Sequence, residues 1–360
     1  MACSIAVPHE GALMKVLVRA TNWVGDAILA LPALRAIQSR AGSAVSILAR
    51  PYVADLYRDQ GIARELILYD VRGTHSGIRG RERLAQELRE RKFDAAILLQ
   101  NAFDAAWLAW RAGIPQRIGY ARDGRSMLLT KAMCVPQAGE IPAHEKYYYL
   151  ELLRRAGWID TLPEETFIRL KVTDEGRERA VQMLAAAGVR HNSVRIAIGA
   201  GAAFGSAKCW PPSRFAAAAN ALQSQTDADV ILFGAADEAD VSAAIAAEMQ
   251  RPPVNLTGKT TICDLPALLS QCHIFVGNDS GAMHVAAAVG LPTVAIFGPT
   301  DPFGTAPVTP RCTIVREKPY CSPCFLRRCP IDHRCMTQIS SGEVVAAVSS
   351  WLSSIAVQRA

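Results

Sequence analysis

Residues 274–302 read IFVGNDSGAMHVAAAVGLPTVAIFGPTDP, and this stretch decides the fold class. Ile274-Phe275-Val276 is a short apolar run of the kind that forms a buried strand. Gly277-Asn278-Asp279-Ser280-Gly281 follows, a cluster of turn formers and helix N-cap residues. Ala282 to Val289 is small and apolar, as a helix packed on a sheet must be. Gly290 fits the position just past a helix end, and Pro292 stops the helix from continuing. Thr293 to Phe297 is a second buried strand. Strand, tight turn, helix and strand make one βαβ unit. The helix start offers free backbone N–H groups and a positive dipole end to a phosphate. Asp279, Ser280, Gly281 and, one turn on, His284 are therefore candidate ligand-binding residues. The competing reading is a well-capped structural helix with His284 as a packing residue. The segment carries neither a GxGxxG fingerprint nor a Walker GxxxxGK[ST], so an ordinary dinucleotide or P-loop site gains no support.

The pattern repeats on both sides of this unit. Buried-strand runs at 15–19, 45–49, 65–69, 95–99 and 117–120 alternate with helical segments at 27–40, 53–60, 81–91 and 102–111. Residues 73–80, with His75 and Ser76, read as a mobile loop. Beyond a break near Pro163, helices at 175–187, 213–224, 238–249 and 265–271 alternate with strands at 194–198 and 230–233. Thr313 to Val315 adds an edge strand. Such alternation means parallel sheets covered on both faces. The expectation is an α/β protein of two Rossmann-like domains, residues 14–172 and 173–341, separated by a cleft. The helix at 342–355 is expected to cross back onto the first domain. Residues 1–13 are expected to be a disordered extension, with Met14 as the natural start.

Composition narrows the function classes. Half of the 360 residues are hydrophobic and 20% are charged, which suits ordinary globular cores. No run reaches the ~18 apolar residues of a membrane span. The opening MACSIAVPHEGALM lacks the basic and apolar regions of a signal peptide. The net charge of +6 permits an anionic partner without identifying one. Ten cysteines without an export signal point to thiols or a metal site rather than a disulfide framework.

Three groups of residues could carry chemistry. Asp26 follows Gly25 at a strand-to-helix junction, where a carboxylate either serves a reaction at the sheet edge or simply caps the helix dipole. In GAGAAFGSAKCW, residues 199–210, a strand empties into a loop of small residues that lets a ligand approach the backbone. Lys208 in that loop could neutralise a diphosphate, or be an ordinary solvated lysine. Cys321, Cys324, Cys329 and Cys335 form CxxC-x4-C-x5-C, with His333 nearby. Four soft ligands are compatible with structural zinc or an iron–sulfur cluster, yet the spacing matches neither standard pattern, and a loop of reduced thiols stays open.

Taken together, KVLVRATNWVGDAILALPALRAI, the AKCWP segment, the 274–302 stretch and PYCSPCFLRRCPIDHRCM resemble the bacterial lipopolysaccharide heptosyltransferases of glycosyltransferase family 9. The NWVGD opening and the Cys-rich tail are most like the heptosyltransferase II branch. The resemblance spans nearly all of the chain from Met14 onward. It implies the GT-B fold and inverting transfer of L-glycero-D-manno-heptose from ADP-heptose, without cofactor or essential metal. The acceptor implied is the first heptose of the inner core on a Kdo–lipid A glycolipid. The implied location is cytoplasmic, peripheral on the inner face of the cytoplasmic membrane, with no transmembrane segment and no nucleic-acid partner. By motif match, Asp26 carries over as the catalytic base and Lys208 as the diphosphate contact. Asp279, Ser280, Gly281 and His284 carry over as the donor loop. The family's hydroxyl residues before the lysine are replaced here by Ala202, Ala203 and Phe204, and its ribose-binding glutamate has no clean match near Asp237-Glu238. Arg117, Arg122 and Arg125 are expected to bind the anionic acceptor. Heptosyltransferases I or III and a non-catalytic two-domain binding protein are the alternatives, followed by a metal or redox protein built on the cysteines.

Overall fold

The computed structural model describes residues 14–359; the segment 1–13, expected to be a disordered extension, lies outside the described residues. The chain divides into two units, 1–164 and 165–360. Each holds a six-stranded, wholly parallel sheet.

In the first unit the strands are β1 (Val16–Arg19), β2 (Val45–Ala49), β3 (Glu65–Leu68), β4 (Ala95–Leu98), β5 (Gln116–Tyr120) and β6 (Lys131–Met133), in the order β3-β2-β1-β4-β5-β6. The second unit has β7 (Arg195–Gly199), β8 (Asp229–Phe233), β9 (Val254–Asn255), β10 (Ile274–Asn278), β11 (Thr293–Phe297) and β12 (Cys312–Arg316), in the order β12-β11-β10-β7-β8-β9. Read from its first strand, the second sheet has the same topology as the first, the doubly wound order 3-2-1-4-5-6. Central strands VLVR, AAIL and TVAIF are buried along their whole length, as strands covered on both faces must be. The strand order switches direction between β1 and β4 in one sheet and between β7 and β10 in the other, with every strand still parallel. Beyond the carboxyl ends of those strands, doubly wound sheets bind their ligands.

Four expectations are corrected. The first unit ends at 164 rather than 172, because the following residues belong to the second: Ile168 N–H donates to Val308 O at 3.0 Å and Leu170 N–H to Ala288 O at 2.8 Å. The C-terminal helix, Ser341–Arg359, packs on the second unit, against helix Pro212–Thr226 and strands β10 to β12. Val344 and Val348 enter that core, and the Trp351 indole N–H donates to Thr313 Oγ1 at 2.9 Å. The helix read at 27–40 begins earlier and is two helices, Val24–Leu29 and Leu31–Ala41, with Pro32 tolerated in the first turn of the second. Residues 70–76 form a bonded knot rather than a loose loop. Gly73 N–H donates to Asp70 Oδ1 at 3.0 Å, Asp70 N–H to His75 Nδ1 at 3.2 Å, and His75 is buried. Helix Gly77–Glu90 follows directly.

Candidate active site

Asp26 sits in the first turn of helix Val24–Leu29, just after β1. The preceding Arg19 closes β1 with its guanidinium inside the protein. Its NH1 donates to Ala20 O at 2.5 Å and its NH2 to Asn22 Oδ1 at 2.9 Å, and it lies 5.3 Å from the Tyr69 ring centre. Burial pulls the Arg19 pKa down to about 10, against the attraction of Asp104 and Tyr69. This cation fixes the turn that presents Asp26.

A second carboxylate accompanies Asp26. Glu145 opens helix Glu145–Arg155, which packs against the Asp26 helix. Burial, reinforced by the negative charge of Asp26, pushes Glu145 up to about 7, against a hydrogen bond from Tyr149 and the charge of Arg122. Burial also pushes up the phenols of Tyr57 and Tyr149, and Asp26 adds to both. The surroundings of Asp26 are thus two buried phenols and a carboxyl that holds its proton near neutrality. Sequence reading missed Glu145, because a glutamate in a first helical turn looks like an ordinary dipole partner.

The three arginines expected to face the acceptor separate. Arg125 is buried and spends its guanidinium on Tyr120 O at 3.0 Å, Gln100 O at 2.5 Å and Asn101 Oδ1 at 2.7 Å. Arg117 lies at the amino end of β5 rather than near its carboxyl end, bonded to Leu128 O and Ile114 O at 2.6 Å each. Both are fastenings of the first unit. Arg122 is exposed just past β5, 3.4 Å from the Tyr148 hydroxyl, and close enough to act on Glu145.

In the second unit the residues after β7 and β10 meet. Asn278 ends β10 fully buried and ties the loops together: its amide donates to Ala200 O at 2.6 Å and its oxygen accepts from Trp210 N–H at 3.0 Å. Trp210, wholly buried, donates its indole N–H to Ile339 O at 3.1 Å. Between these anchors Lys208 reaches Asp279, Nζ to Oδ2 2.5 Å, and Thr300 Oγ1 donates to the same oxygen at 2.7 Å. Helix Gly281–Ala288 starts beside this pair. Its N-cap, Ser280, makes no capping bond, and Ser280 Oγ is buried without a hydrogen-bond partner among the described residues. The first-turn N–H groups therefore face outward without the usual side-chain cap. His284 is buried in the same helix.

Glu238 comes to the same place from the loop after β8. Its carboxylate accepts from Ala235 N–H at 2.9 Å and lies against Gly201, where a Cβ would stand 1.8 Å from Glu238 Oε1. Burial raises its pKa. A side chain at 201 would have to push the Glu238 carboxylate aside, so the small residues of that loop admit a carboxylate as well as a ligand.

The cysteine segment adjoins the Lys208 loop. His333 Nε2 bonds Ala207 O at 2.7 Å, Ala207 N–H donates to Arg327 O at 3.1 Å, and Cys324 N–H donates to Pro299 O at 3.0 Å. All nine cysteines among the described residues are free. Burial, with the nearby Cys324, Cys321 and Cys329, raises the Cys335 thiol to about 11. Among the described residues no group of three or more His, Cys, Asp and Glu is disposed to hold a metal ion.

The family model described as Glycosyltransferase family 9 (heptosyltransferase) matches residues 81–334. The chain belongs to glycosyltransferase family 9. A relative named lipopolysaccharide heptosyltransferase 2, from Escherichia coli K12, is 30% identical over 313 residues, which cover 84% of this chain and 88% of the relative. A solved structure described as E. coli ADP-heptose lps heptosyltransferase II superposes with a TM-score of 0.79 at 27% identity, covering 94% of this chain and 98% of that one. A family 9 glycosyl transferase from Veillonella parvula superposes with a TM-score of 0.81 at 23% identity, over 95% and 98% of the two chains, which bears on the fold alone. The two doubly wound units are thus the GT-B architecture of family 9, and the glycosyltransferase activity expected from the sequence follows from family membership. Among the described residues no helix is long and apolar enough to cross a membrane.

Proposed function

We propose that this family 9 enzyme transfers L-glycero-D-manno-heptose from ADP-heptose to the first heptose of the lipopolysaccharide inner core, with inversion. The observation that carries the donor side is the cluster of Lys208, Asp279 and Thr300 beside an uncapped helix start, where the strand order of the second sheet switches. An ADP diphosphate there meets a lysine ammonium and free backbone N–H groups. Both stabilise the negative charge that grows on ADP as the bond to the sugar breaks. Ser280, Gly281 and His284 line the same helix start, and Glu238, against Gly201, supplies the carboxylate for the ribose hydroxyls.

The acceptor side falls to the first unit. Asp26 takes the proton from the acceptor hydroxyl as its oxygen bonds to the anomeric carbon from the face opposite the departing ADP. Buried Tyr57 and Tyr149 and half-buried Glu145 lie near enough to feel the charge of that carboxylate. Arg122 is the exposed cation suited to the phosphates of a Kdo–lipid A acceptor, which would place the enzyme peripherally on the inner face of the cytoplasmic membrane. No metal or cofactor enters this reading.

Asp26→Asn keeps the size of the side chain and removes the base. Turnover, read as ADP release in the presence of acceptor, should fall by at least ~100-fold, the low end for a general base. Donor binding should stay nearly unchanged. Near-normal turnover of the folded variant would remove Asp26 from the chemistry.

A further inference from the structure

We propose that Arg327, carried by the cysteine segment, is a second cation for the donor diphosphate, working beside Lys208. The inference rests on the donor reading above and adds a residue to it.

The two charges share the Phe204 ring. Lys208 Nζ is 4.8 Å from the ring centre and Arg327 Cζ is 5.3 Å from it. Each gains from the ring face, and the shared ring brings two positive groups within reach of one ligand. Their positions are set by the backbone. Arg327 O accepts from Ala207 N–H, the residue before Lys208, and His333 holds the carbonyl of the same residue. Gly205 completes the fit: its φ is 152°, and a Cβ there would lie 2.3 Å from Arg327 O. The cysteine segment is therefore joined to the loop that carries Lys208, and the backbone of Arg327 is held beside that loop.

Charge balance gives Arg327 its purpose. Lys208 is already paired with Asp279, so the two contribute no net charge to an arriving anion. The ADP diphosphate brings several negative charges. Arg327 is exposed, and none of the ion pairs among the described residues involves it. Its planar fork can take two phosphate oxygens at once, which an ammonium cannot.

The test is calorimetric titration of ADP and of adenosine into wild-type protein and the Arg327→Gln variant. Arg327→Gln keeps the backbone bond to Ala207 and a polar, though shorter, side chain, and removes the charge. The expected result is an ADP affinity lower by about ten-fold or more, the value of one charge-assisted contact, with adenosine affinity unchanged. Arg327→Lys should recover part of the loss. Equal losses for ADP and adenosine would show that Arg327 only packs the loop, and an unchanged ADP affinity would show that it does not meet the phosphates. Either overturns this inference alone. Wild-type protein that binds ADP no better than adenosine would overturn the donor reading, and this inference with it.

Discussion

Lys208 and Asp279 depend on each other. Both are nearly buried, with side-chain exposures of 12% and 5%. Removing one partner of a buried pair strands the other charge and typically costs about 3–5 kcal/mol, whereas removing both can be close to neutral. Lys208→Ala should therefore lower the melting temperature, and Lys208→Ala with Asp279→Asn should recover most of the loss while leaving ADP-heptose turnover impaired. Equal melting points for the single and double variants would mean that the pair is not coupled. At Glu145 the sign runs the other way from a salt-bridged carboxylate. Its folded pKa, about 7, lies above the unfolded value of 4.5. The folded state holds that proton more tightly, so Glu145 favours folding at pH below 4.5 and loses that advantage as pH rises toward 7. Glu145→Gln should thus gain in melting temperature relative to wild type between pH 5 and pH 8. A difference that does not change with pH would contradict the half-buried position near Asp26. Sequence reading went astray on residues of this kind. Arg125 looked like a surface cation because its partners, the carbonyls of Tyr120 and Gln100, leave no mark in a residue pattern.

At the scale of elements, the cysteine segment changes meaning. By composition it is four thiols open to a metal or to the reduced state, and in the fold it buttresses the loop between β7 and Trp210. Gly205 is where the two meet. A side chain there must displace Arg327 O or the loop itself. Gly205→Ala should weaken ADP binding while leaving the bulk of the second unit's core intact, since Trp210, Phe215 and their neighbours do not depend on that contact. Isothermal titration beside a thermal melt checks this, and a variant with unaltered ADP affinity would mean that the contact is slack. The other elements were legible to different degrees. The long buried strands and the turns after β1, β7 and β10 could be read from apolar runs that end in Gly, Asn and Asp. β6 and β9 could not: KAM and VN are too short, and as edge strands too little buried, to show a period. The C-terminal helix was read correctly as a helix. Its docking partner depends on Val344, Val348 and Trp351 meeting a surface built from distant segments, which no local pattern shows.

At the scale of the molecule, one topology occurs twice, and the residues proposed for the chemistry follow the strands where each sheet's strand order switches. Asp26 follows β1, Lys208 follows β7 and Asp279 follows β10. On the proposed reading, donor chemistry falls to the second unit and acceptor chemistry to the first. The central claim is heptosyl transfer from ADP-heptose to a heptose-terminated core glycolipid. The most direct measurement incubates purified enzyme with ADP-heptose and a heptosyl–Kdo–lipid A acceptor and weighs the glycolipid by mass spectrometry. The account predicts the mass of one added heptose, with one ADP released per transfer and no product from an acceptor that ends in Kdo. Growth of the Kdo-terminated acceptor, or no growth of either acceptor while ADP-heptose is bound, would contradict it.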